Sequence, residues 1–375
     1  MAIVKFGDIV RDVKINVDRA NNPYEHYVAG DHMDSEDLTI HRYGSFETDD
    51  VGPAFTRIFK PGQILYGSRR TYLKKVAVAD FEGICANTTF VLESKDEALF
   101  DNRLLPFIML SDAFTRWSIA HSKGSTNPYV LFSDLADYEF DLPPIAEQKV
   151  LADKLWAAYR LKESYKKLLT ATEEMVKSQF IEMFGNPVTN NKGWNTLPIK
   201  DVAPETSSLE KQTGKVWILN LDMIESNTGK VVEKVFENDS NLLSVAPFDE
   251  GNVLYSKLRP YLNKVVIPDG KGYATTELVP LRPNQKLLNL TFFSHLLRGD
   301  DFVTYANSIS TGTKMPRMPL NDLRKFQCIL PPMEKQNEFE EIAHQADKSG
   351  FELRKSNCLF YKHLIFMYFC PIINF

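Results

Sequence analysis

The chain lacks the cysteine pattern of either a disulfide framework or a zinc site. Cys85, Cys328, Cys358 and Cys370 are scattered, with no CxxC pair and no histidine at ligand spacing, which points to a reducing compartment. It also lacks a positive balance: the formal net charge is −5, so any contact with a polyanion has to come from local patches. No GxxxxGK[ST] loop is present, which excludes a P-loop motor. The first ten residues carry no long apolar stretch, and nothing before residue 358 approaches the roughly 20 apolar residues of a membrane span. A cytoplasmic protein without a membrane segment is the expectation.

Catalytic signatures are missing as well. The seven histidines have no partner spacing that suggests a nucleophile or a metal. Asn22-Pro23-Tyr24 and Asn127-Pro128-Tyr129 look like the adenine methyltransferase loop but lack its second proline. Neither follows a Gly-rich strand–turn–helix able to hold S-adenosylmethionine. The expectation is a chain that is not an enzyme, with no catalytic residue, metal or cofactor of its own.

What the sequence does contain is a repeat. Ile64–Val76 reads ILYGSRRTYLKKV and Val253–Val265 reads VLYSKLRPYLNKV, so Tyr66 and Tyr72 recur 189 positions on as Tyr255 and Tyr261, after Gly62 and Gly251. Phe132-Ser-Asp-Leu135 recurs as Leu320-Asn-Asp-Leu323, Leu142-Pro-Pro144 as Leu330-Pro-Pro332, and Gln148 as Gln336. The offset drifts by one residue over half the chain, as a duplication does.

Each copy runs in two phases. Residues 1–142 and 191–330 hold short β-branched and aromatic runs between Gly, Pro, Asn and Asp, predicting two tandem α+β globular modules. Residues 143–190 and 331–375 are predicted helical spacers. Ala146 to Phe184 contains neither glycine nor proline, Pro144 suits its start and Gly185-Asn186-Pro187 its end. At 1.5 Å per residue that helix spans about 58 Å, long for one small domain. Leu151, Leu155, Ala158, Leu161, Tyr165, Leu168 and Met175 recur at steps of three or four, and the second helix, from about Glu334, carries Phe339, Ile342 and Ala346. Two long helices packed as an antiparallel coiled coil are expected to join the modules.

The Tyr-centred block is the best candidate for contact with DNA. Tyr66, Arg69, Arg70, Tyr72, Lys74 and Lys75 in one copy answer to Tyr255, Lys257, Arg259, Tyr261 and Lys264 in the other. Arginine and lysine supply phosphate affinity, and an arginine fork can read guanine. A polar turn before the closing strand is the second candidate: Lys123, Ser125 and Thr126 around Gly124, and Thr311, Thr313, Lys314 and Arg317 around Gly312.

Two modules each closed by Leu-Pro-Pro, a glutamine and a long helix, with the first helix ending Ser178-Gln-Phe-Ile-Glu-Met-Phe-Gly-Asn-Pro187, closely resemble the specificity subunits of type I restriction–modification systems over nearly the whole chain. The resemblance implies two target recognition domains joined by conserved helical regions, and a non-catalytic role in choosing a bipartite double-stranded DNA target. It also implies partners: two modification subunits that use S-adenosylmethionine, and restriction subunits that use ATP and magnesium, in a prokaryotic cytoplasm. The other reading is the specificity part of a fused or stand-alone restriction or methylation enzyme. From Cys358 to Phe375, 14 of 18 residues are apolar or aromatic, unlike the matching stretch of the first copy, and this tail is read as truncated or altered.

Overall fold

In the computed structural model, residues 2–18, 21–206, 214–238 and 245–350 are described, and the chain divides into two compact units within the long helix, at Tyr165 and Lys166. The atypical tail and its two cysteines lie outside the described residues.

The first unit opens with β1 (Ala2–Lys5), α1 (Phe6–Ile9) and β2 (Val10–Asp12). Then come β3 (His26–Val28), β4 (Gly44–Ser45), β5 (Phe55–Phe59), β6 (Ile64–Gly67), β7 (Val76–Val78), β8 (Gly83–Ala86) and β9 (Thr89–Ser94). α2 (Leu105–Leu110), α3 (Asp112–Ala120), α4 (Phe132–Ala136) and β10 (Glu139–Leu142) complete the module, and α5 (Ile145–Phe184) leaves it. Two four-stranded sheets, ordered β2-β9-β6-β7 and β4-β3-β8-β5, stand beside the β1–β10 pair.

The second unit repeats this plan: β11 (Thr196–Pro198), α6 (Ile199–Val202), β12 (Lys215–Leu219), β13 (Val235–Asn238), β14 (Val245–Phe248), β15 (Val253–Ser256), β16 (Val265–Val266), β17 (Gly272–Thr275) and β18 (Leu278–Leu281). α7 (Leu290–Arg298), α8 (Asp300–Ser308), α9 (Leu320–Lys325) and β19 (Gln327–Ile329) follow, then a helix from residue 333 to the last described residue, 350. Its sheets are ordered β16-β15-β18 and β13-β12-β17-β14, beside β11–β19. Where the first unit has β2 on β9, the second has, among the described residues, the bridge Glu205–Leu281.

One glycine in each unit shows why the plan recurs. Gly83 of β8 pairs with Phe59 and Gly272 of β17 with Phe248, each on a strand that also runs parallel to a neighbour. A Cβ on Gly83 would come within 2.9 Å of the His26 carbonyl, and one on Gly272 within 2.6 Å of the Trp217 carbonyl. Only glycine lets the backbones approach so closely.

The expected helix is present almost residue for residue, and Gly185 ends it at φ +74°, where its N–H bonds the Ile181 carbonyl at 2.8 Å. Its seam needs correction. In the first unit Leu151, Leu155 and Ala158 are buried, with Leu151, Leu155 and Tyr159 belonging to the core built on Phe6, Tyr66, Phe114 and Phe140. Farther on, Leu161, Leu168 and Met175 are exposed and Tyr165 is half-buried. The buried face passes instead to Val176, Phe180 and Phe184, which join Phe292, Phe302 and Phe339 in the core of the second unit. Each half of the helix is buried by its own unit, so the apolar positions answer to two surfaces and no single heptad register serves both.

Within the second unit the expected antiparallel pairing is visible. Phe180 meets Phe339 edge to face with ring centroids 5.3 Å apart, and Leu169 packs beside Gly350, so numbering falls along one helix as it rises along the other. Phe339 is fully buried, while Ile342 and Ala346 are half-buried.

Candidate nucleic-acid interface

The tip that carries the first Tyr block begins where β6 ends. The Ser68 N–H bonds the Thr88 carbonyl, Arg70 takes the left-handed conformation at φ 50°, a single 3-10 turn covers Thr71–Leu73, and Lys74 is left-handed again at φ 47°. The second tip repeats this with Arg259 at φ 49°, a turn over Pro260–Leu262 and Asn263 at φ 48°. Left-handed backbone disfavours residues with a Cβ, so both tips are held against a local preference.

What holds them is the polar turn. The Arg70 N–H donates to the Pro128 carbonyl at 2.7 Å, and Arg259 to Pro316 at 2.7 Å. Val130 N–H bonds the Ser68 carbonyl as Met318 N–H bonds that of Lys257, each at 2.9 Å. The turn itself is closed by reciprocal backbone bonds, Lys123 with Tyr129 and Thr311 with Arg317, around Gly124 at φ +86° and Gly312 at φ +99°. The two segments singled out in each half of the sequence therefore form one continuous edge in each module.

On the first edge Arg69, Arg70, Tyr72, Lys123, Ser125 and Thr126 are exposed. Lys123 pairs with Asp134 at 3.0 Å, whereas the guanidinium groups of Arg69 and Arg70 have no ion pair among the described residues. On the second edge Tyr261, Thr311, Thr313 and Lys314 are exposed, and Lys257 and Arg259 are half-buried. Arg317 makes a two-nitrogen fork on Glu277, at 3.1 and 3.0 Å. The Arg259 Nε is buried without a hydrogen-bond partner.

Several expected contacts face elsewhere. Tyr66 and Tyr255 are only 2% and 3% exposed and are core residues, not part of a DNA face. They lie in β6 and β15, where alternate side chains turn inward. Tyr66 is T-stacked on Phe114 and Tyr255 on Phe302, and burial pushes the Tyr66 hydroxyl up to about 12. Three lysines are engaged in the fold: Lys74 with Asp112 at 2.8 Å and Glu36 at 3.2 Å, Lys75 with the Gly30 carbonyl, and Lys264 with the Leu221 carbonyl at 2.6 Å. Only the tyrosines one turn later, Tyr72 and Tyr261, reach solvent.

Sequence reasoning missed Tyr129, which it treated as part of a catalytic decoy. Tyr129 is exposed and bridges both Lys123 and Arg69, so it sits in the middle of the first edge. The signal was there: Pro128 and Pro316 align behind the two glycine turns.

Among the described residues one group of side chains could hold a metal, Asp37, His41 and Glu163, whose ligand atoms lie within 4.8 Å of one another. Asp37 also accepts hydrogen bonds from the Tyr159 hydroxyl at 2.6 Å and the Thr39 N–H at 3.0 Å, which ties its loop to α5. Cys85 is buried, which pushes its thiol up to about 12, and Cys328 is buried too. Among the described residues no helix is long and apolar enough to cross a membrane.

The family described as "Type I restriction modification DNA specificity domain" matches residues 24–173 and again 191–357. Over 265 residues the chain is 25% identical to the type I restriction enzyme EcoDI specificity subunit of Escherichia coli, a match covering 60% of this chain and 58% of that protein. It thus spans less than two thirds of that relative's length. A solved structure from work on complex assembly and conformational transition of the type I R-M system shares 18% identity, over 98% of this chain and 97% of that one, with a TM-score of 0.53. The type I restriction–modification S subunit of M. genitalium shares 13% identity, over 100% and 96%, with a TM-score of 0.56. Those two likenesses establish a common fold. With both modules matched in tandem, the chain belongs to the type I restriction–modification DNA specificity domain family.

Proposed function

We propose that this chain selects the DNA target of a type I restriction–modification complex, each module reading one half of a bipartite, asymmetric site. The observation that carries the reading is the pair of matching edges. The same backbone frame presents Ser68-Arg69-Arg70 in one module and Lys257-Leu258-Arg259 in the other, and like frames with unlike side chains suit two unlike half-sites. The role is non-catalytic. Methylation and cleavage fall to partner subunits, two for modification and others for restriction, with S-adenosylmethionine, ATP and magnesium bound there. Such a complex works on genomic DNA, in a prokaryotic cytoplasm. Within the second unit Leu168 and Met175, exposed on α5, offer those partners an apolar surface.

The test is selection of bound duplexes from a random DNA pool by the chain assembled with its modification subunits. Two conserved half-sites at fixed spacing are expected, with log K falling steeply against log salt. A single or absent motif would reject the bipartite reading, and methylation by the isolated chain would reject the non-catalytic one.

A further inference from the structure

The two modules close differently against the helix that follows each. In the first, Phe107 and Trp156 meet edge to face with centroids 5.3 Å apart, and Leu110 and Tyr159 belong to the same core. The residues 188 positions on are His295, His344, Arg298 and Asp347. Three apolar side chains and a tyrosine in the first module correspond to four ionisable groups in the second. In the second unit a cavity of about 300 Å³ opens there, walled by Val176 and Phe180 of α5, by His295 and Arg298 of α7, and by Ala343 and Ala346 of the last helix. That volume is within the range of small-molecule sites.

Arg298 is the chemically unusual member. Its Nη1 donates to the Thr228 carbonyl at 2.5 Å and its Nη2 to the His295 ring at 2.8 Å. Gly229, at φ +69°, leaves room for this, since a Cβ there would lie 2.1 Å from Nη1. Both partners are uncharged: one is a carbonyl, and burial together with the neighbouring charge of Arg298 holds His295 well below the usual histidine range. Of the other charges lining the cavity, Lys177 pairs with Asp300 at 2.9 Å and Lys230 with Glu173 at 3.7 Å, while Asp301 and Asp347 also stand on its wall. Asp347 and Glu173 act on Arg298 from beyond ion-pair distance, and both are exposed, so water screens them. The half-buried guanidinium touches no carboxylate and keeps N–H donor capacity beyond these bonds.

We propose that this cavity binds a small amphipathic carboxylate, its anionic end forked on Arg298 and its apolar part against Val176, Phe180 and Ala346. The planar guanidinium matches a carboxylate in two parallel hydrogen bonds. Exposed acids at the rim disfavour a dianion more than a monoanion, and the apolar wall calls for a hydrocarbon tail. Nothing in this assignment depends on the DNA-reading role.

Sodium octanoate titrated into the full chain, followed by calorimetry and thermal melting, tests the site, with octylamine and 1-octanol as cationic and neutral probes. Saturable octanoate binding with a raised Tm is expected, and weaker binding of both other probes. Arg298→Gln is expected to weaken octanoate at least tenfold. Thr172→Trp, which fills the cavity wall and leaves the guanidinium intact, is expected to abolish binding. The proposal is overturned by the absence of saturable octanoate binding, by octylamine or octanol binding as tightly, or by undiminished binding in either variant. If Arg298→Gln does not fold, Thr172→Trp decides alone.

Discussion

Gln148 and Gln336, 188 positions apart in sequence, make the same three hydrogen bonds, each in its own unit. Gln148 Oε1 accepts from the Asp101 N–H at 2.9 Å while Nε2 donates to the carbonyls of Leu99 and Pro143 at 3.0 and 2.8 Å. Gln336 accepts from Asn289 at 2.9 Å and donates to Leu287 and Pro331 at 3.0 and 2.7 Å. Each amide thereby fastens the first turn of a long helix to the loop ahead of α2 or α7 and to the proline pair. Both side chains are buried, and every polar atom of the amide is used.

Truncating either glutamine therefore strands a buried N–H and two carbonyls. Gln148→Ala and Gln336→Ala are each expected to lower the unfolding free energy by about 1–3 kcal/mol, read from urea denaturation of the chain. A loss under about 0.5 kcal/mol, the usual range of an indifferent surface change, would show that water replaces the amide.

The tips should separate affinity from stability. Arg70→Ala and Arg259→Ala are expected to weaken specific DNA binding by about 1–3 kcal/mol if the guanidinium reads a base, each relaxing preference in one half-site only. Unaltered preference in both halves after both substitutions would reject these residues as readers.

The buried and exposed tyrosines of each block should behave in opposite ways. Tyr255→Ala removes a ring packed on Phe302 and is expected to destabilise the second unit by about 3–5 kcal/mol, as other large-to-small core changes do. Tyr261→Ala is expected to leave the melting curve within about 0.5 kcal/mol and to act on DNA affinity alone. Equal stability losses in the two variants would contradict the burial described above.

These tyrosines also mark where the sequence was legible and where it was not. The duplication, the extent of α5 and its glycine stop could be read because they rest on local rules: repeat offset, periodicity, and left-handed backbone after the helix. Which tyrosine of each pair faces inward could not, because both sit in one basic segment and only the β6 and β15 pairings decide it. The α5 seam misled for a related reason. Its spacing is compatible with one continuous stripe, while burial is set by two separate surfaces. The cavity around Arg298 was hidden because Phe107 and His295 are not alike enough to advertise their equivalence, although the repeat offset aligns them.

His295 gives the second unit a defined response to acid. Its folded pKa is lowered by burial and by Arg298 and His344, so below about 6.5 the unfolded chain takes up a proton that the folded chain refuses. Stability is therefore full above that pH and falls on acidification, by up to about 1.4 kcal/mol per pH unit for this one group. His295→Phe, which restores the residue found at the equivalent place in the first module, is expected to flatten that share of the slope between pH 6.5 and 5. Identical slopes in the two proteins would assign the acid sensitivity to other groups.

The closure of the two tips has a consequence for how this chain can change over time. Every bond that pins Arg70 to Pro128, or Arg259 to Pro316, runs from main chain to main chain, so the frame asks little of the side chains it displays. Mutations there alter what is presented while leaving the fold nearly as stable as before, provided the glycines at 124 and 312 are kept. On the proposed reading, recognition can thus drift in one module while the other keeps its preference.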